Sequence, residues 1–229
     1  MRREPVWLFD LDNTLHDASS SAMPAMTAAM GDFIQRELGL SKDESDALRW
    51  RYFQRYGATL LGLVRHHCVK PAHFLRDTHR LPGLEARVRG HPHDLAALRA
   101  LPGRKYILTN APREYTARVL GVLGLQRGFD GVITIEDMAM FGELRPKPDA
   151  RMFRRLVARL RVPASSCVLV EDTLAHQKSA RRLHIRTVWM QRWLRATPTG
   201  PIASTRLSIC PAYVDHKVSR LRQLLRCWR

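Results

Sequence analysis

The sequence predicts an α/β fold, a parallel sheet core covered by helices on both faces, with a small all-helical segment inserted after the first strand. Three observations predict it. Short apolar runs that each end in a polar residue recur over 6–9, 106–108, 131–134 and 167–170, as strands buried on both faces do. Between them lie stretches with apolar residues at helical spacing, such as Phe153, Leu156, Val157 and Leu160. Residues from about 18 to 92 show no strand-like alternation and read as helices throughout. Strands that alternate with helices build a parallel sheet with right-handed crossovers.

The elements follow in order. Val6-Trp7-Leu8-Phe9 is a strand that ends at Asp10, with Asp12, Asn13, Thr14 and His16 in the loop beyond it. The insert predicts helices over 22–38, 42–56, 57–67 and 71–80, with turns at Gly39-Leu40-Ser41 and near Val69-Lys70-Pro71. Ser41 followed by Glu44 is a capping-box signature for the second of these helices. A helix over 93–100 precedes the strand Tyr106-Ile107-Leu108, which ends in Thr109-Asn110. A helix over 114–123 and a strand over 131–134 lead to the turn Arg145-Pro146-Lys147-Pro148-Asp149. A helix over 149–161, the strand Cys167-Val168-Leu169-Val170 ending in Glu171-Asp172-Thr173, a helix over 174–183 and a strand over 186–189 complete the alternation. Residues 192–208 read as a loop, Tyr213-Val214 as an edge strand and 217–226 as a closing helix. The domain partition is then a core of 1–17 with 93–229, and a helical domain of 18–92.

Open α/β sheets bind ligands beyond the carboxyl ends of their strands. Asp10 and Asp12 stand at such an end and would repel each other, so a cation is their natural companion. Oxygen ligands of this hardness suit Mg²⁺. An isolated Asp-x-Asp fits a polar strand end equally well, and an isolated Lys147 fits a surface turn. What separates the readings is the set: Asp10-x-Asp12-x-Thr14, the strand-end Thr109, Lys147, and the pair Glu171-Asp172.

This set resembles the haloacid dehalogenase superfamily of phosphotransferases, over residues from about 5 to 190, with a Rossmann-like core and a helical cap. The resemblance implies a phosphomonoester hydrolase. Asp10 would be the nucleophile that forms an aspartyl-phosphate, and Asp12 the general acid and base. Mg²⁺ would be held by the Asp10 side chain, the Asp12 backbone carbonyl and Asp172. Lys147 would contact nucleophile and phosphate, and Thr109 with backbone N–H groups around Asn110 would bind phosphate oxygens. Glu171, Asn110 and Thr14 would support these groups, and Thr173 would cap the following helix. Lys147 is one of only six lysines among 38 basic residues, and arginine does not substitute for a compact ammonium at a tight phosphate site. His176 departs from the pattern, standing where relatives carry Asn or Asp.

The stretch from Arg51 to Leu63, with Asp10-Leu11-Asp12-Asn13-Thr14-Leu15-His16, is similar to pyrimidine 5′-nucleotidases. The substrate implied is a nucleoside monophosphate such as UMP or CMP, with Asn13, His16, Arg55 and Tyr56 as substrate-binding residues. Tyr52, Phe53, Tyr56, Leu60 and Leu63 also fit the buried stripe of a helix, and both readings stand. The alternative substrate class is a sugar phosphate or phosphoglycolate. A non-enzymatic polyanion-binding protein is the outsider.

Composition bounds the rest. No run of 18 apolar residues exists and the N-terminal apolar stretch is too short for a signal peptide, so no membrane partner is expected. Cys68, Cys167, Cys210 and Cys227 lack metal-site spacing and fit a reduced, cytoplasmic protein. The formal charge of +17 raises nucleic-acid binding, but the arginines are dispersed and no aromatic platform separates basic clusters. Residues 192–229 hold eight Lys or Arg against Asp215 alone, a segment whose role stays open. Attraction of an anionic small substrate accounts for the charge more simply. Oligomeric state is not legible.

Overall fold

Strand β1 (Val6–Phe9) is buried at every residue, as an apolar run covered on both faces must be. It lies inside a six-stranded parallel sheet, in a computed structural model that describes residues 4–194 and 209–227. The chain divides into two compact units, one of Met1–Ser19 with Val88–Arg229 and one of Ser20–Arg87. A short helix, α1 (Ala18–Ser21), follows the loop after β1. The second unit consists of α2 (Met23–Leu38), α3 (Lys42–Tyr56), α4 (Thr59–His67), α5 (Pro71–His79) and α6 (Leu84–Arg87).

The first unit resumes with α7 (Pro92–Ala100), β2 (Arg104–Leu108), α8 (Arg113–Val122) and β3 (Gly131–Ile133). A hairpin, β4 (Ala139–Met140) and β5 (Glu143–Leu144), precedes α9 (Ala150–Leu160). Then come β6 (Cys167–Glu171), α10 (Leu174–Arg181), β7 (Arg186–Met190), β8 (His216–Val218) and α11 (Leu224–Cys227). The sheet order is β3-β2-β1-β6-β7-β8, with Leu8 registered against Tyr106 on one side and Leu169 on the other. The chain therefore leaves β1 toward β2 and later returns to its opposite side as β6. That is a topological switch point, and it opens a crevice at the carboxyl end of β1.

Packing follows the sequence pattern. Helix α9 buries Met152, Phe153 and Leu156 against Leu8, Leu108, Ile133 and Leu169, while Arg151, Arg154 and Arg155 face solvent. Val157 and Leu160 are half-buried against the same cluster. In the second unit, Ser41 and Glu44 form the capping box: Ser41 N donates to Glu44 Oε2 at 2.9 Å, and Glu44 N donates to Ser41 Oγ at 3.4 Å. Gly62 sits inside α4 at a cost in helix propensity because a Cβ there would fall 2.2 Å from Tyr52 Cγ on α3. Tyr52, Leu60 and Leu63 are buried, Tyr56 is half-buried, and Phe53 is exposed beside Trp50.

Several boundaries differ from the sequence expectation. The helix expected from Gly57 starts at Thr59, because Gly57 takes φ 79° and closes α3 in the left-handed conformation, donating to Phe53 O. Tyr213-Val214 is not a strand: Val214 N donates to Pro211 O in a turn, and the edge strand is β8, two residues later. Lys217 belongs to that strand, so the closing helix starts later, as a 3₁₀ turn over Leu221–Gln223 that runs into α11. Gln223 Oε1 fixes that start by accepting from Ser219 N and Arg220 N at 2.8 and 2.9 Å. The loop expected over 192–208 lies, from 195 onward, outside the described residues, as do Arg195, Arg206 and Arg229.

All four cysteines are free, and burial pushes the Cys167 thiol up to about 11. Among the described residues no helix is long and apolar enough to cross a membrane.

Candidate active site

Asp10 is the first residue past β1 and continues its ladder, with its N–H donating to Val170 O at 3.0 Å. The strand end thus fixes the carboxyl at the mouth of the switch-point crevice. Lys147 reaches it from the loop before α9: Nζ donates to Asp10 Oδ1, Glu171 Oε2 and the Leu108 carbonyl, each at 2.7 Å. These three acceptors sit at the ends of β1, β6 and β2. One buried ammonium, 1% exposed, therefore joins three adjacent strand ends. Thr14 Oγ1 donates to Asp10 Oδ2 at 3.4 Å.

Asn110 holds the lysine backbone from both sides. Lys147 N donates to Asn110 Oδ1 and Asn110 Nδ2 donates to Lys147 O, both at 2.9 Å. Thr109 is buried, its N–H donating to Ile133 O at 3.0 Å and its hydroxyl accepting from Ala111 N at 3.0 Å. Thr173 makes no side-chain cap to α10; its hydroxyl donates to Asp172 Oδ1 at 3.1 Å.

The electrostatics follow from crowding. Burial, reinforced by Glu171 and opposed by Lys147, pushes the Asp10 carboxyl up to about 7. Burial and then the charges of Glu171 and Asp10 hold Asp172 well above the usual carboxylate range. Burial also works against the ionised Glu171, but Lys147 and His176 outweigh it and hold Glu171 well below that range. Lys147 is kept protonated by Asp10 and Glu171 against its own burial. Asp10 and Glu171 thus share one ammonium, and Asp172 is crowded against both carboxyl groups. Ligand oxygens of Asp10, Glu171 and Asp172 lie within 4.8 Å of one another, a spacing at which one cation touches all three. A hard divalent ion fits both the donor atoms and the missing positive charge.

Asp12 points its carboxyl elsewhere, with Oδ1 2.8 Å from His16 Nε2 and accepting from Tyr115 Oη at 2.7 Å. Asn13 takes φ 56° at the tip of the loop, tolerable for Asn, and its Oδ1 accepts from Ser19 N and Oγ at 2.9 and 3.0 Å. Arg55 and Tyr56 belong to the second unit, where the Arg55 and Arg65 guanidiniums stand over the Tyr56 ring at 5.5 and 6.0 Å and Tyr56 Oη meets His66 Nε2 at 2.5 Å.

Four contributors went unseen in the sequence or were left open there. His176 Nδ1 stands 3.0 Å from Glu171 Oε2, at ion-pair distance without hydrogen-bond alignment. Gln177 Nε2 donates to Glu171 O and Val188 O at 2.8 and 2.6 Å. Trp189 Nε1 donates to Asp172 O at 2.8 Å. Tyr115 reaches Asp12 from α8. A polar residue on the buried face of a helix that abuts a strand end is the signal that finds Gln177 and Tyr115.

The profile of haloacid dehalogenase-like hydrolases matches residues 6–184. The chain belongs to that family. A curated relative, Phosphate metabolism protein 8 of Saccharomyces cerevisiae, is 27% identical over 190 residues, which are 76% of this chain and 58% of that protein. The chain thus spans just over half the length of that relative. Among solved structures, a HAD phosphatase from Thermococcus onnurineus superposes with a TM-score of 0.62 at 23% identity, covering 98% of this chain and 97% of that one. An L-2-haloacid dehalogenase superposes with a TM-score of 0.61 at 20% identity, covering 99% and 100%. The fold is common to both chemistries, so the side chains must choose between them.

Proposed function

We propose that this hydrolase cleaves phosphomonoesters through an aspartyl-phosphate on Asp10. The observation that carries the proposal is the buried Lys147, held at 2.7 Å from both Asp10 and Glu171 beside a third carboxyl, Asp172. A site that gathers one ammonium and a cation-sized carboxylate cluster around a nucleophile suits a phosphate, whose transfer depends on positioning and neutralised charge. Displacement of a halide from an uncharged carbon has no need of such a cluster. Asp12 adds an acid two residues beyond the nucleophile.

In this mechanism the Asp10 carboxylate attacks phosphorus while the bond to the ester oxygen breaks. The departing oxygen takes a proton from Asp12. A water molecule then gives its proton back to Asp12, attacks the aspartyl-phosphate and releases inorganic phosphate, which restores both carboxyl groups. Lys147, whose three N–H bonds go to Asp10, Glu171 and the Leu108 carbonyl, holds Asp10 in line and sets a positive charge beside the phosphate, and Thr109 with neighbouring N–H groups binds phosphate oxygens. Asp10, Asp172 and the Asp12 backbone carbonyl would hold Mg²⁺, which would supply charge neutralisation on the phosphate when bound.

The Ser20–Arg87 unit is proposed as the cap that selects the ester, with a pyrimidine nucleoside monophosphate as its substrate. The Tyr56 ring, with the Arg55 and Arg65 guanidiniums over it, supports an anionic, base-bearing ligand. Phosphate release from a panel holding UMP, CMP, AMP, GMP, phosphoglycolate and hexose phosphates tests both levels, with EDTA and Asp10→Asn as controls. Metal-dependent release strongest on UMP and CMP is expected. Release centred on sugar phosphates replaces the substrate and keeps the chemistry; no release from any ester rejects both.

A further inference from the structure

Asp12 carries its own pair of partners, separate from the lysine and the carboxylate cluster. Tyr115 lies 103 positions away on α8, is 1% exposed, and donates to Asp12 Oδ1 at 2.7 Å. His16 is fully buried, four residues beyond Asp12, with Nε2 2.8 Å from the same oxygen. The backbone fixes this histidine, through bridges from His16 to Asp12 and to Gly90. Burying a phenol and an imidazole is costly unless each finds a partner, and here both converge on one atom. The Asp12 side chain itself stays 20% exposed, so an anchored carboxyl still reaches the crevice.

Granted the phosphatase mechanism above, we propose that Tyr115 and His16 are positioning residues for the general acid, Asp12. Two buried contacts to a single oxygen fix the plane and rotation of the carboxyl, and so aim its proton at the departing ester oxygen. The need for that aim depends on the leaving group. When the bond between phosphorus and an alkyl oxygen breaks, the alkoxide needs the proton that Asp12 gives. When the leaving group is already a stable anion, such as p-nitrophenolate, bond cleavage proceeds without it. A purely structural loss would harm both esters alike.

The experiment compares kcat/KM for glycerol 2-phosphate and p-nitrophenyl phosphate, since this ratio reports the steps through departure of the leaving group. Tyr115→Phe removes only the hydroxyl, and thermal melts check that the fold is kept. The alkyl ester is expected to lose about 10-fold or more, and the nitrophenyl ester about 3-fold or less, because general-acid catalysis serves only the first. His16→Leu should show the same selectivity and His16→Gln, which retains an N–H donor, a smaller loss. In an Asp12→Asn background Tyr115→Phe should add no further alkyl-specific loss. Equal losses on the two esters, or an undiminished alkyl rate in Tyr115→Phe, overturns the proposal. A wild-type protein inactive on these two esters and on every ester of the panel above instead rejects the phosphatase mechanism on which it stands. Should His16→Leu not fold, Tyr115→Phe decides alone.

Discussion

Lys147 and Asp10 are 137 positions apart in the chain and 2.7 Å apart in space, in a contact that water scarcely reaches. The switch point makes this possible: β1 delivers the carboxyl, and the loop before α9, clamped by Asn110, delivers the ammonium.

Removing that ammonium leaves buried carboxylates without their counter-charge. Lys147→Met should cost about 3–5 kcal/mol in urea unfolding, the penalty for breaking a buried ion pair from one side. Phosphate release should fall by about 100-fold or more, since the phosphate loses a positioned cation. Lys147→Arg should not restore it, because a planar fork cannot point at three strand ends as an ammonium does. A Lys147→Met protein as stable as wild type contradicts this description of the site.

The raised Asp10 pKa sets a pH dependence with a definite sign. Between the unfolded value of 3.8 and the folded value of about 7, the folded state keeps a proton that the unfolded chain has released. Stability of the metal-free protein therefore falls as pH rises through that window. Asp172, also raised, contributes the same slope, whereas Glu171 is depressed and acts only at lower pH. In EDTA, Asp10→Asn should gain on wild type by on the order of 2–3 kcal/mol between pH 5 and pH 8. Added Mg²⁺ should raise the wild-type melting temperature more at pH 8, where no proton competes for the carboxylates. Parallel pH profiles of the two proteins would count against the crowding of these groups.

Much of this was legible in the sequence because strand ends carry their own punctuation. Val6 to Asp10 and Cys167 to Asp172 read as strand and site together, since a run buried on both faces has no freedom to place its first polar residue elsewhere. Asp10, Lys147, Glu171 and Asp172, which three of the motifs name, lie together in space. The sequence marks Tyr115 and Gln177 only as polar residues on buried helix faces; their partners follow from the tertiary packing of each helix against a strand end. The β4–β5 hairpin was missed because its turn, Phe141-Gly142, takes positive φ at both residues without the usual Asn-Gly or Asp-Gly. Near the C-terminus, Tyr213-Val214 offered β-formers, but the ladder forms where Met190 pairs with Val218 instead.

Gln177 ties the end of β6 to the neighbouring strand β7 through two carbonyls. Gln177→Leu takes a buried donor away from both carbonyls, for an expected cost of about 1–3 kcal/mol in chemical unfolding. Calorimetric titration should show weaker Mg²⁺ binding as Glu171 and Asp172 loosen. Unchanged stability and unchanged metal affinity together would remove Gln177 from the site's support.

Gly62 tests the second unit. Gly62→Ala places a methyl group into the Tyr52 ring and should cost about 2 kcal/mol or more, despite the better helix propensity of alanine. Limited proteolysis should then cut within residues 20–87 first. A stabilised Gly62→Ala protein would mean that α3 and α4 do not pack as closely as described.

The central claim is that Asp10 carries the phosphoryl group. The most direct measurement is acid-quench mass spectrometry of the Asp10-containing peptide after mixing the Mg²⁺-loaded protein with a hydrolysed ester. A single phosphoryl group on Asp10 during turnover, absent with EDTA and in Asp10→Asn, is the predicted result. Steady turnover by the wild type with no adduct at any quench time, and with activity persisting in Asp10→Asn, would contradict it.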